Sequence, residues 1–305
     1  GTEGGVPTER EAAELAVPSD ASFALDGRAQ DGRTLGALVV ETAGGGAAVG
    51  VTDLWQRYPK ALAVREGQLC VDLLPAQQGA AKPPADLPAH VAFPFVEGCY
   101  RFKWGMSTTD RFLLAPFAAG GRAAALAAAL DQTQPLVAVL PATWYAQTGA
   151  LGELAAPDGQ LFAAWDEAFA EAFAGHLRLK DARREYGFFN WGDWHGERET
   201  NWGNNEYDLP HGLFLQFART GRRDYYRLAL AGARHQADVD MIHAYPDPMF
   251  VGGNLLHSYA HTGEWSQHIA ERSWSFAYGY HGAAWNGHTW AHGLCDAWYL
   301  AGEPR

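Results

Sequence analysis

Two hydrophobic periods divide this chain. As far as about Gln147, apolar residues fall in short alternating or β-branched runs, at residues 36–43, 47–52, 69–74 and 100–104, with Gly and Pro between them. Such runs predict strands, and the glycines at 44–46 predict a hairpin joining the first two. Strands this short and closely spaced predict a sandwich. The alanine-rich stretch from Arg122 to Leu130 predicts one short helix. Residues 141–149 show no period, begin with Pro and end with Gly, and predict a linker.

The period then lengthens to that of a helix. Leu161, Trp165, Phe169, Ala172 and His176 share one face and predict an amphipathic helix over 160–179. A second helix is predicted over 209–219, with Asp208 as N-cap, Pro210 in the first turn and Gly221 at the stop. Tyr225, Leu228, Gly232, His235, Val239 and Ile242 form the apolar stripe of a third, and the short turn between these two predicts an antiparallel hairpin. A last helix over about 288–300 ends at Gly302, echoing the stop at Gly221. Repeated hairpins of this kind predict a solenoid or toroid of paired helices. The fold class expected is α+β and multidomain: a β-sandwich portion over 1–147, then an incomplete α/α toroid over 148–305.

Composition narrows the chemistry. A net charge of −12 with few lysines argues against nucleic-acid and anionic-membrane partners, which need dense basic patches. No run is long and apolar enough to span a bilayer, and the first ten residues lack the pattern of a secretion signal. The missing initiator Met, and an end directly behind a helical pattern, suggest a piece of a longer chain. Three cysteines, at 70, 99 and 295, are too few and too scattered for a disulfide framework or zinc cluster, and leave the compartment open. Trp, Tyr and His are concentrated after Trp144: aromatic faces stack on sugar rings, and imidazole is the common acid and base near neutral pH. Arg198, Arg219, Arg222, Arg223, Arg227 and Arg234 supply local positive charge for an acidic polymer.

Three stretches concentrate polar chemistry. The densest, 188–211, carries Asn190, Asp193, Trp194, His195, Glu197, Arg198, Asn201, Asn204, Asn205, Glu206, Tyr207, Asp208 and His211 between helices. It reads as a sugar-binding cleft, or alternatively as a long loop tied down by its own side chains. The second holds His235, Asp238, Asp240 and His243. His235 sits in an apolar stripe and reads as a core histidine. Asp238 lies one turn from Arg234 and reads as its ion-pair partner, which leaves Asp240 and His243 as binding candidates. Their spacing matches no metal signature. The third holds His257, Tyr259, His261 and Glu264, followed by His281, His288 and His292. Tyr beside His is a suitable acid and base pair for elimination.

Residues 189–221 (FNWGDWHGERETNWGNNEYDLPHGLFLQFARTG), 233–243 (ARHQADVDMIH) and 288–305 (HTWAHGLCDAWYLAGEPR) resemble the exo-rhamnogalacturonan lyase family. Residues 53–64 and 69–76, with 98–105, are similar to that family's central β-sandwich. The resemblance implies an N-terminal β domain, a central sandwich and a C-terminal α/α toroid. This chain would lack the first and part of each of the others.

It further implies an exo-acting enzyme that cleaves the pectin backbone by β-elimination, with an acidic polysaccharide as partner and no cofactor. Pectin lies outside cells, which favours export. The proton at C5 of a uronate is weakly acidic, so a donor must stabilise the enolate-like charge, a base must take the proton and an acid must protonate the departing oxygen. Arg198, Asn204 and Asn205 suit the first task. Tyr207, His211, His257, Tyr259 and His261 form the pool for acid and base. Asp193, Trp194, Glu206, Asp240 and His243 would contact sugar. A hydrolase built on Asp193, Glu197, Glu206 or Asp240, or a non-catalytic sugar-binding fragment, are the other readings.

Overall fold

A computed structural model describes residues 14–75, 105–194, 207–254 and 289–304, together with the backbone of Gly5 and Val6. The chain forms two compact units. The first comprises residues 1–84, 108–136 and 186–189, and the second 85–107, 137–185 and 190–305.

In the first unit, strands β1 (Gly5–Val6), β2 (Glu14–Val17), β3 (Ser22–Leu25), β4 (Arg28–Asp31) and β5 (Arg33–Thr34) precede β6 (Ala37–Thr42) and β7 (Gly45–Val51). Then come β8 (Lys60–Arg65), β9 (Gln68–Asp72), β10 (Phe112–Ala118) and helix α1 (Arg122–Thr133). One antiparallel sheet has the order β4-β3-β2-β8-β9 and another β10-β7-β6, while β1 and β5 pair in parallel. The hairpin expected at the glycine run joins β6 to β7, with Thr42 opposite Gly45.

Those glycines also serve packing. A Cβ on Gly46 would meet the Val40 carbonyl at 2.0 Å, and one on Gly50 would meet the Ala129 carbonyl at 2.0 Å. The small face of β7 thus lets the alanine-rich α1 lie directly on the sheet, burying Ala37, Val39, Ala48, Ala125 and Ala129 together. Residues 100–104, expected to form a strand, lie outside the described residues.

Charge is buried in this unit as well. Asp110 Oδ1 receives Arg57 Nε at 3.1 Å and lies 3.2 Å from Lys60 Nζ, which also donates to the Leu73 carbonyl at 2.8 Å. Burial, reinforced by the neighbouring Arg57 and opposed by Asp110, lowers the Lys60 pKa from 10.5 to about 8. Above that value the folded form releases a proton that the unfolded chain keeps until about pH 10.5. Stability therefore rises with pH across this window, by on the order of 3 kcal/mol from this group. Lys60→Met removes the contribution, so the stability difference between wild type and variant, read by urea unfolding, should shift in favour of wild type from pH 8 to pH 10.5. A difference independent of pH would contradict this.

The second unit is helical: α2 (Ala142–Thr148), α3 (Ala163–Ala182), α4 (Leu209–Thr220), α5 (Arg223–His235) and α6 (His292–Ala301). A single π turn, Gln236–Asp240, continues α5. The stretch expected to be a linker is instead α2, because Tyr145 is buried and anchors it while Gly149 adopts the left-handed cap its carbonyls need. Helix α3 begins three residues later than its apolar spacing predicts. The Asp158 carboxylate accepts the backbone N–H groups of Gln160 and Leu161, each at 2.8 Å, and holds that segment in a turn. Its expected stripe is displaced too: Leu161 and Trp165 are exposed, whereas Phe173 and Lys180 are buried.

Helix α4 follows the local signals closely, with Asp208 accepting the His211 N–H and Gly221 left-handed at the end. The two-residue connection folds α5 back on α4, and α6 packs against both. Leu213, Phe214, Phe217, Tyr225, Tyr226, Leu228 and Ala297 form their shared core, where each fully buried large side chain contributes roughly 1.5–3 kcal/mol. No described helix is long and apolar enough to cross a membrane.

Candidate functional site

Tyr207 and Asp208 both have positive φ, 65° and 46°, an unfavourable region for residues other than glycine. What holds them there is the Asp208 carboxylate, which accepts His211 N–H at 3.2 Å and Gly293 N–H at 3.1 Å. A single side chain therefore caps α4 and fastens the start of α6 beside it. Gly293 has to be glycine, since a Cβ there would lie 2.6 Å from both Asp208 Oδ1 and Pro210 Cβ.

This junction brings together residues far apart in sequence. His211, on the first turn of α4, pairs through Nδ1 with Asp296 Oδ2 of α6 at 2.6 Å. Burial pushes the Asp296 carboxyl upward, opposed by its hydrogen bond with His211. The His211 side chain is 32% exposed and that of Asp296 9%, so the pair opens to solvent on the imidazole side. The His292 ring lies 5.3 Å from that of His211, with its Nδ1 3.8 Å from Asp208 Oδ2. Tyr207, 63% exposed, lies nearly parallel to the partly exposed Trp290, at 6.1 Å between ring centres and 21° between planes.

A second polar group lies behind this surface. Asp193, His235 and Asp240 are fully buried, with His235 Nε2 3.8 Å from Asp193 Oδ2 and 3.7 Å from Asp240 Oδ2. Lys180 Nζ donates to the Asp193 carbonyl at 2.7 Å, and Trp194 N–H donates to Asp193 Oδ1 at 2.7 Å. Burial lowers the Lys180 pKa, opposed by Glu185 and Asp193. The two groups meet at Gly232, where a Cβ would lie 3.0 Å from Pro210 Cγ, 3.2 Å from the Gly192 carbonyl and 3.7 Å from the Trp194 ring.

The expected site residues thus separate. Tyr207 and His211 are gathered at the surface. Asp193 and Asp240 are buried facing His235, and Trp194 is buried with its ring beside Gly232. His243 is exposed, with Nε2 2.7 Å from the Ala237 carbonyl at the π turn. Arg198, Asn204, Asn205, Glu206, His257, Tyr259 and His261 lie outside the described residues, as do His195, Glu197, Asn201, Glu264, His281 and His288.

Two electrostatic expectations change. Arg234 pairs with Glu303 at 2.8 Å rather than with Asp238, whose Oδ1 accepts the Ser107 hydroxyl at 3.1 Å. Nor are all the arginines available to a polymer. Arg219 is spent on Asp166, Gln216 and the Ala155 carbonyl, and Arg222 on Asp224 and Tyr225. Arg223 and Arg227 are exposed.

Asp296 and Trp290 were not singled out from sequence. Their signal was present, since His292 and Asp296 stand one helical turn apart directly behind Trp290. Among the described residues, no group of three or more His, Cys, Asp or Glu side chains is arranged to hold a metal ion.

Asp208→Ala should destabilise the second unit by on the order of 3 kcal/mol, by removing a cap and a second backbone contact and leaving a β-carbon in the left-handed region. Asp208→Asn, which tolerates that region and keeps an acceptor, should cost less than half as much in urea unfolding. Equal costs would show that the acceptor and backbone tolerance asparagine keeps do not replace the carboxylate.

Residues 134–246 match the family model for the PcRGLX-like protein C-terminal alpha/alpha toroid domain. Over 269 residues the chain is 26% identical to "Uncharacterized protein YetA" of Bacillus subtilis (strain 168), an alignment that covers 79% of this chain and 30% of that protein. The chain therefore spans under a third of that relative's length. The matched toroid segment contains α2 to α5, the π turn, and with them Tyr207 and His211. The helices that carry Tyr207 and His211, though not α6, are accordingly similar to the toroid domain of PcRGLX-like proteins, and the match supports a rhamnogalacturonan lyase-like relationship.

Proposed function

We propose that this chain carries the catalytic surface of a polysaccharide lyase that cleaves the rhamnogalacturonan backbone by β-elimination from a chain end. The observation that carries the reading is the 2.6 Å pair of His211 and Asp296, open to solvent beside the stacked Tyr207 and Trp290. A carboxylate accepting Nδ1–H fixes the imidazole tautomer and leaves the Nε2 lone pair directed outward as a base. In the proposed reaction His211 Nε2 removes the C5 proton of a galacturonate. The electron pair released expels the glycosidic oxygen from C4, and the Tyr207 hydroxyl supplies the proton that oxygen takes up. His292, exposed beside Asp208, offers an N–H to the uronate carboxylate as charge develops. Trp290 supplies an apolar face for a sugar ring.

Incubating the chain with rhamnogalacturonan oligosaccharides, while following ultraviolet absorbance and reducing ends together, tests this. Elimination raises both signals, because each cleavage creates a double bond conjugated with the carboxylate. Reducing ends without absorbance would replace the reading with hydrolysis, and binding with no cleavage would replace it with a sugar-binding role.

A further inference from the structure

We infer that Gln236 is a positioning residue, one that holds the Trp290 sugar platform in place from the interior; this rests on the elimination reading for the identity of the ligand, but not for the contact. Gln236 is fully buried, and an amide is taken out of water at low cost only where it is hydrogen-bonded. Its Nε2 donates to the Trp290 carbonyl at 2.7 Å, across 54 positions of sequence.

Residues 289–291 are in neither helix nor strand, and Ala291, the N-cap of α6, gives no side-chain cap. Two contacts from distant parts of the chain reach Trp290: the Gln236 hydrogen bond on its backbone and Tyr207 on its ring.

Gln236 also occupies a backbone position suited to this task. It begins the π turn that follows α5, and a π turn inserts one extra residue into the helical register. His235 immediately before it faces Asp193 and Asp240, whereas Gln236 reaches the loop ahead of α6. Two residues on, Asp238 accepts the Ser107 hydroxyl, and the Ser107 N–H donates to the Asp238 carbonyl at 2.8 Å. The turn is thereby held by side-chain and backbone bonds of its own, which makes it a firm base for the Gln236 amide. The class of ligand that depends on this arrangement is a pyranose ring presenting an apolar face to indole.

A double-mutant cycle tests the inference. Gln236→Met keeps length and flexibility but removes the donor; Trp290→Ala removes the platform. With oligosaccharide substrate, Gln236→Met should raise KM about five- to tenfold, the effect of one hydrogen bond, with kcat within about twofold. In the Trp290→Ala background the same substitution should change KM by less than about twofold, because its route of action has gone. Effects that multiply, or a loss confined to kcat, would overturn the proposal. So would failure of both Gln236→Met and Gln236→Leu to fold, which would make Gln236 a core residue first.

If no unsaturated product forms in wild type, the elimination reading fails by itself. The same cycle measured as Kd by calorimetry with the oligosaccharide then decides the role of Gln236: coupling supports it, and independent effects or no measurable binding overturn it.

Discussion

Replacing His211 by glutamine should lower the rate of unsaturated product formation by about 10²- to 10⁴-fold, the usual contribution of a positioned general base. The fold should change little. The His211 side chain is 32% exposed and its ring contributes mainly through one pair, whereas the cap on α4 uses its backbone N–H. Asp296 would lose its imidazole partner, and because burial raises its pKa while His211 opposes that rise, the variant can protonate that carboxyl more readily instead of stranding a charge. Asp296→Asn should give a smaller loss, since the imidazole remains and only its orientation and tautomer are released. Far-ultraviolet circular dichroism and thermal unfolding separate chemistry from folding here. An unchanged rate in His211→Gln would remove His211 from the reaction. Equal losses in thermal stability and rate would reduce the pair to packing.

What sequence reveals of this molecule follows the range of the forces involved. The start and stop of α4 were legible because they are local: Asp208, Pro210 and Gly221 act within a turn of where they stand. The β6–β7 hairpin was legible for the same reason. Helix α2 was not, because what stabilises it is burial of Tyr145, a tertiary fact with no periodic trace in seven residues. Spacing along α3 correctly indicated a helix, but the buried face was chosen by Tyr225, against which Phe169 and Phe173 pack edge-on, while Trp165 stays exposed under Arg219.

The candidate site divides along the same line. Tyr207 and His211 stood out within a dense polar segment, yet their partners arrive from 83 and 85 positions away, Trp290 from the segment ahead of α6 and Asp296 from α6 itself. Asp193 and Asp240 drew notice as carboxylates in polar surroundings, although composition cannot distinguish a carboxylate facing solvent from one buried against a histidine. Arg234 had a partner one turn away in sequence and took Glu303 instead, since α5 and α6 pack side by side.

Gly192→Ala should be among the most damaging single substitutions in the second unit, costing on the order of 4 kcal/mol. Gly192 has φ of 100°, where an L side chain is strained by about 1–3 kcal/mol before any contact is counted. A Cβ there would also lie 2.1 Å from the Ala231 carbonyl and 2.8 Å from His235 Cβ. Neither can withdraw cheaply, because Ala231 and His235 belong to the buried middle and end of α5, and overpacking of this sort adds about 1–3 kcal/mol.

The displaced turn would carry Asp193 with it, and so disturb the contacts of that residue with His235 and Lys180. It would also press on Gly232, the point where Pro210 and therefore the Tyr207–His211 surface rests. Gly175→Ala provides the internal comparison. That glycine lies within α3, and among the described residues its added Cβ would meet only Arg178 Nη2 at 3.7 Å, so the change should be neutral or stabilise by up to about 1 kcal/mol. Urea unfolding of both variants decides the matter: a Gly192→Ala cost within 1 kcal/mol of Gly175→Ala would mean that the turn at 190–194 does not lie against α5 as described.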